Sequence, residues 1–290
     1  MKKLYISLTT ISARIGTVND TIESLLKQDY PVTEITLYIS KNPFLLDKGI
    51  KQIPNKLKSL LSQHKQFNIE YVENTGSYRK LLNCLKKHWN EDCLIITVDD
   101  DKIYDKYMIG KMVDKYYFYQ EKSIIANRSF IKVNYKLLEL CKKHFNLSDN
   151  LAKMFLKITN DKSLSNQISY NLNDEFIFIR LLTFFEGNDG VLYHPKFFTS
   201  IVFNWKLITS VGKTHDDFWF KYCTLINGYG VVGTNEFTSR PSSQIKNTNE
   251  SALHFNINNG SYDRIMNNMC NWFSVNKLLE YGFRKFKFNN

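Results

Sequence analysis

The chain has 290 residues, 43% of them hydrophobic, enough apolar material for one large domain with a full core, which excludes a disordered or fibrous protein. Its formal net charge of +11 calls for an anionic partner, whether nucleotide, nucleic acid or acidic lipid, and charge alone does not choose among them. Five cysteines, at 84, 93, 141, 223 and 270, are odd in number and lack a Cys-x-x-Cys pair, which argues against a disulfide framework or a zinc site and fits a reducing cytoplasm.

The opening Met1 to Leu8 imitates a signal peptide, but its apolar run is short, interrupted by Thr9, Thr10 and Ser12, and closed by Arg14, so residues 4–9 read as the first strand. No later stretch approaches the roughly 18 uninterrupted apolar residues that cross a bilayer. Helices are predicted over 18–27, 56–64 and 78–88, and strands over 34–40, 67–72 and 93–98. This β-α-β-α rhythm implies a mainly parallel sheet covered by helices, with ligands at the carboxyl ends of its strands. The loops 9–16, 40–43, 73–80 and 99–104 then meet on one rim, bringing Arg14, Lys41, Arg79 and Lys80 beside Asp99, Asp100 and Asp101.

The Asp triplet ends the β-branched run Leu94 to Val98, and three adjacent carboxylates repel one another unless a cation or protons offset them. If the strand alternation continues, Asp99 and Asp101 point to one side and Asp100 to the other. Two hard oxygen ligands there suit Mg²⁺ or Mn²⁺ carrying a phosphorylated ligand; the competing reading is an acidic turn capping the next helix. That helix is expected to run from 104 to about 119, followed by a strand at 123–127. Over 137–173 the pattern loosens into an irregular or helical insert. Order returns at 176–185, then in a loop from Glu186 to Pro195 whose Gly187 and Gly190 either let backbone approach a ligand or form a plain turn. Thr214-His215-Asp216-Asp217 leads into an aromatic helix start, where one carboxylate can cap the helix and leave the other free. Residues 262–288 look helical and finish Arg284-Lys285-Phe286-Lys287-Phe288, which suits an anionic membrane surface or a docked terminus.

Six stretches together resemble the bacterial glycosyltransferases of the GT-A fold, in the capsule and lipo-oligosaccharide branch of the inverting, family-two-like enzymes. They are Ser7 to Thr10 with Ala13-Arg14-Ile15, Glu23 to Gln28, Glu73 to Lys80, Ile96 to Asp101, Gly190 to Pro195 and Asp216-Asp217-Phe218-Trp219. The resemblance implies an α/β, Rossmann-like fold with a helical insert and a C-terminal helical tail. It divides the chain into a nucleotide-sugar-binding half (1–126), an acceptor-side half (127–235) and a C-terminal extension (236–290) within one compact domain. It assigns the Asp-x-Asp motif to Asp99 and Asp101, with Asp101 and Asp99 holding Mn²⁺ or Mg²⁺ and His254 a further metal ligand. Thr9, Thr10, Arg14, Lys80, Asp99 and Asp100 fall on the donor side, where the usual acidic residue after the second strand is replaced by Ser40-Lys41-Asn42. Asp217 is the expected general base with Asp216 its neighbour, and Gly190, Tyr193 and Trp219 line the sugar and acceptor. The implied partners are a nucleotide sugar, a UDP-sugar first, and a glycan or lipid-linked acceptor at the cytoplasmic face of the inner membrane, with no nucleic acid. Other readings are a nucleotidyltransferase on a similar sheet, although the first loop has its one glycine, Gly16, at its far end, and a nucleic-acid-binding module based on the +11 charge.

Overall fold

Short runs of Ile, Leu, Val and Tyr that are buried on both faces form the interior strands of a parallel sheet, whereas half-buried strands would alternate. The computed structural model describes residues 1–131, 183–212, 214–234, 236–237, 245 and 268; the expected insert at 137–173 and, apart from Asn268, the tail at 262–288 lie outside them. Strands β1 (Lys3–Thr9), β2 (Glu34–Ile39), β3 (Phe67–Tyr71) and β4 (Cys93–Thr97) alternate with helices α1 (Val18–Leu26), α2 (Asn55–Gln63) and α3 (Arg79–Lys87). Each follows its predicted span to within a residue or two. In β4 every residue is buried, and Val18, Ile22 and Leu25 of α1 sit in the core at helical spacing.

Helix α4 (Met108–Phe118), β5 (Ser123–Ala126), β6 (Ser129–Ile131), β7 (Thr183–Phe185), β8 (Val191–Tyr193), α5 (Asp216–Ile226) and β9 (Gly230–Gly233) follow, with short helical turns between them, among them Trp205–Leu207 and Ile208–Gly212. The seven-stranded sheet has the order β3-β2-β1-β4-β8-β5-β9. Pairs β1–β2, β1–β4, β2–β3 and β5–β9 are parallel, and β8 runs antiparallel between β4 and β5. A separate ribbon pairs β6 with β7. The fold is therefore α/β and Rossmann-like, a mainly parallel sheet flanked by helices. Among the described residues, no helix is long and apolar enough to cross a membrane.

Two expectations need correction here. The stretch after Gly190 is a strand, not a loop, because a three-residue segment buried on both faces carries no period-two signal. Gly190 adopts φ +100, and a Cβ there would meet Met108 Sδ at 3.3 Å, so this glycine turns the chain under α4. Helix α4 also starts at Met108, later than the predicted 104, because Tyr104 is tied into the preceding loop: its hydroxyl accepts the Asp99 N–H and donates to the Asn188 carbonyl.

Candidate active site

Thr97 is the last residue of β4 to pair in the sheet, so the Asp triplet lies in the turn beyond it and the strand alternation does not extend to it. The three carboxylates divide differently from the expected pattern. Asp99 Oδ1 stands 3.0 Å from Lys80 Nζ, while Asp100 and Asp101 share Arg14, at 3.0 and 3.5 Å. Asp100 also accepts the Thr10 hydroxyl. No carboxylate of the triplet caps α4; the N–H of Tyr107, just before that helix, is taken by Asp105.

These surroundings push the three acids apart. Burial alone would raise Asp99, but the Lys80 ammonium outweighs it and holds this acid below its ordinary range. For Asp100, burial prevails over Arg14 and the carboxyl is raised. Asp101 is pushed up to about 6 by burial and by repulsion from Asp99 and Asp100.

The facing wall is the start of α5. His215 precedes the helix without a side-chain cap, leaving Asp216 and Asp217 in the first turn, where the helix dipole favours negative charge. Neither acts as a cap. Asp216 accepts the Ser77 hydroxyl at 2.9 Å and stands 3.3 Å from Lys80 Nζ, so buried Lys80 joins the end of β4 to the start of α5. Asp217 Oδ2 accepts the Gly187 N–H at 2.8 Å, and among the described residues its buried Oδ1 has no hydrogen-bond partner. Burial first, then the neighbouring Asp216, pushes Asp217 up to about 8. A Cβ on Gly187 would fall 2.6 Å from Asp217 Oδ1 and 3.0 Å from Lys80 Nζ; glycine is required there by close approach to protein groups.

Two supports were not visible as site residues in the sequence. Lys102 Nζ meets Asp189 Oδ1 at 2.8 Å, fastening the triplet loop to the turn that carries Gly187. Asp47 accepts the Ser12 and Gly49 N–H groups, the Asn74 amide and the Arg79 guanidinium, binding three rim loops together. The available signals were a lysine directly after three acids and a lone acid, Asp47, in a lysine-rich stretch.

Of the predicted site residues, the fold brings together Thr10, Arg14, Lys80, Asp99, Asp100, Asp101, Asp216 and Asp217. Thr9 stands beside them with its hydroxyl donated to the Tyr38 carbonyl. Tyr193 and Trp219 are fully buried core residues. Tyr193 packs against Phe185, Phe198 and Phe220, and Trp219 donates to the Val202 carbonyl, so neither ring has a face for a sugar. His254 lies outside the described residues.

This corner offers hard oxygen donors and a surplus of carboxylates, the chemistry a divalent cation would need. Among the described residues, Asp99, Asp100, Asp101, Asp216 and Asp217 outnumber the cations Arg14, Lys80 and Lys102, and the buried Asp101 Oδ1 has no hydrogen-bond partner. Among the described residues, no three His, Cys, Asp or Glu side chains converge as a complete ligand set. Mg²⁺-like ions commonly take one or two carboxylates and complete their shell with phosphate and water.

No protein-family model matches the chain, and no curated protein matches it. Among solved structures, S. aureus TarS 1–349 aligns at 13% identity over 94% of this chain and 72% of its own, with a TM-score of 0.42. The 4-diphosphocytidyl-2C-methyl-D-erythritol synthase from Anaerococcus prevotii aligns at 13% identity over 83% of this chain and 94% of its own, also at 0.42. A CMP:2-keto-3-deoxy-manno-octonic acid synthetase complexed with CTP aligns at 9% identity, over 47% of this chain and 61% of its own, at 0.33. The chain spans 65% of another synthase of the second kind and 36% of a longer TarS chain. At these TM-scores the alignments do not bear on the chemistry of the site.

Proposed function

We propose that the chain is a metal-dependent glycosyltransferase of the GT-A type, moving one sugar from a nucleotide sugar, a UDP-sugar first among them, to a hydroxyl of a surface-glycan intermediate with inversion. The observation that carries this reading is the pairing of two unlike carboxylate groups across Lys80. One, Asp99 to Asp101, has the charge and hard oxygen atoms to serve a leaving diphosphate; the other is Asp216, paired with Lys80, together with its neighbour Asp217, whose pKa is raised and whose Oδ1 has no hydrogen-bond partner among the described residues.

Asp101, with Asp99, would hold Mg²⁺ or Mn²⁺, which when bound supplies Lewis-acid stabilisation of the charge growing on the departing diphosphate. Arg14 and Lys80 offset the carboxylates in the absence of donor and present positive charge to its phosphates. Thr9, Thr10 and Asp100 lie on the nucleoside side. Asp217 takes the proton from the acceptor hydroxyl as that oxygen attacks the anomeric carbon and the bond from that carbon to the phosphate oxygen breaks. A base with a pKa close to the working pH combines a usable ionised fraction with real proton affinity. Asp216, bound to Ser77 and Lys80, fixes the first turn of α5.

Thermal unfolding with a panel of nucleoside diphosphates, with and without Mn²⁺, tests donor binding. A ligand at one hundred times its Kd stabilises by about 2.7 kcal/mol, so a rise of several degrees is expected for at least one nucleotide, with UDP tried first, only when Mn²⁺ is present. No shift with any nucleotide, together with tight binding to DNA or RNA, would overturn the reading in favour of a nucleic-acid-binding module.

A further inference from the structure

The connection between β2 and α2 carries a feature that the reaction does not use. Residues 41–58 contain Lys41, Lys48, Lys51, Lys56 and Lys58, all exposed, and a single acid, Asp47, which is buried against Arg79. Among the described residues, only Lys56 of the five forms an ion pair, with Asp20 at 3.5 Å. At the tip, Phe44 and Asp47 exchange backbone hydrogen bonds of 2.9 and 3.0 Å, closing a tight turn over Leu45 and Leu46. Leu45 has φ 52, a region where L side chains are strained and glycine is the usual occupant. It is nonetheless a leucine, 46% exposed, beside Phe44 at 38%; Tyr71 at the end of β3 is 42% exposed, with Lys41 Nζ 4.9 Å above its ring.

The tip is held rigidly. Gly76, at φ 64, lies beneath it, where a Cβ would meet Phe44 Cε1 at 3.4 Å and Leu45 Cδ1 at 3.5 Å. Asp47 anchors the base of the turn through Ser12, Gly49, Asn74 and Arg79. Because the connection follows a parallel strand, it stands on the same rim of the sheet as Asp99 to Asp101. A rigid apolar point surrounded by exposed lysines complements an anionic lipid surface: the leucine and phenylalanine enter the acyl boundary while the ammonium groups meet the headgroups. A nucleic acid would engage the lysines as a polyanion, whereas a bilayer takes up the lysines and the adjoining leucine and phenylalanine along one surface.

We propose that the Phe44–Leu45 tip and its lysine collar dock the protein on an anionic bilayer, turning the strand-end rim toward the membrane. Docking is independent of the reaction proposed above; only the consequence that a lipid-linked hydroxyl then faces Asp217 rests on it. The test is co-sedimentation of the full chain with phosphatidylcholine vesicles, with and without phosphatidylglycerol. The parent is expected to bind the anionic vesicles, to bind neutral ones far less, and to weaken with salt. A Phe44→Ser, Leu45→Gly variant is expected to lose binding about tenfold or more. Its unfolding midpoint should be retained or raised, since glycine relieves the φ of residue 45. Reversing Lys48 and Lys51 to Glu should cost at least about fivefold per site. The proposal is overturned if the parent ignores anionic vesicles, if it binds neutral ones equally well, or if the Phe44→Ser, Leu45→Gly variant binds like the parent. Nucleotide-dependent thermal stabilisation of the same variants reports on the reaction site separately.

Discussion

Asp217 is where local electrostatics and chemistry meet. Its carboxyl is raised to about 8 by burial and by Asp216 at its side, against the opposing pull of Lys80 and the Gly187 N–H, with Asp99 adding to the rise. For kcat/KM this gives a rate that climbs about tenfold per pH unit below about pH 8 and levels above it. For stability the sign is opposite. Between the ordinary carboxylate range and about pH 8 the folded chain keeps a proton that the unfolded chain has lost, so the stability linked to this group is full at low pH and falls as pH rises through that window. Asp217→Asn removes the titration while retaining an oxygen for the Gly187 N–H. Its melting point relative to the parent should therefore rise between pH 4 and pH 8, by about 2–4 °C for each kcal/mol relieved, and calorimetry at the two pH values checks this. Gly187→Ala tests the same contact from the other side. A methyl 2.6 Å from Asp217 Oδ1 must displace it, and a loss of turnover of about 100-fold is expected from such a misplacement, with nucleotide-dependent stabilisation kept.

Among the elements, the rim loops are fastened by charges that lie far apart in sequence. Asp47 and Arg79, 32 positions apart, form a fully buried pair, and Asp47 also satisfies two backbone N–H groups and the Asn74 amide. Asp47→Ala strands the Arg79 guanidinium and is expected to cost about 3–5 kcal/mol in urea unfolding; a loss below about 1 kcal/mol, the size of an exposed pair, would contradict this role. Such pairings explain which parts were legible in the sequence. Strands β1 to β4 and helices α1 to α3 announced themselves through local periodicity, and the order of strand ends placed Arg14, Lys80 and Asp99 to Asp101 on one rim. Lys102 and Asp189, 87 positions apart, have no local signal, and neither does β8, whose three buried residues show no alternation. Tyr193 and Trp219 show a related difficulty: an aromatic residue reads the same whether it lines a sugar or fills a core, and both are buried in the core. Which carboxylates share a cation was also hidden, because the strand stops at Thr97 and the turn, not the sheet, orients Asp99 to Asp101.

At the scale of the whole molecule, the parallel sheet places one acidic corner, its balancing cations and a lysine-ringed apolar tip on a single rim. On the two proposals made above, the +11 charge would have two anionic counterparts, the diphosphate of a donor and the surface of a bilayer, and salt should weaken the second more than the buried first. The central claim is that the Asp99 to Asp101 corner serves the leaving group while Asp217 serves as the base. It is tested most directly by measuring nucleoside diphosphate release from a panel of nucleotide sugars with a glycan acceptor, using parent, Asp217→Asn and Asp101→Asn proteins, in Mn²⁺ or EDTA. The account predicts acceptor-dependent release by the parent only with metal. Asp217→Asn should keep the Mn²⁺-dependent stabilisation by nucleotide but lose transfer by at least about 100-fold; Asp101→Asn should lose both. Wild-type transfer by Asp217→Asn, or undiminished transfer in EDTA, would contradict it.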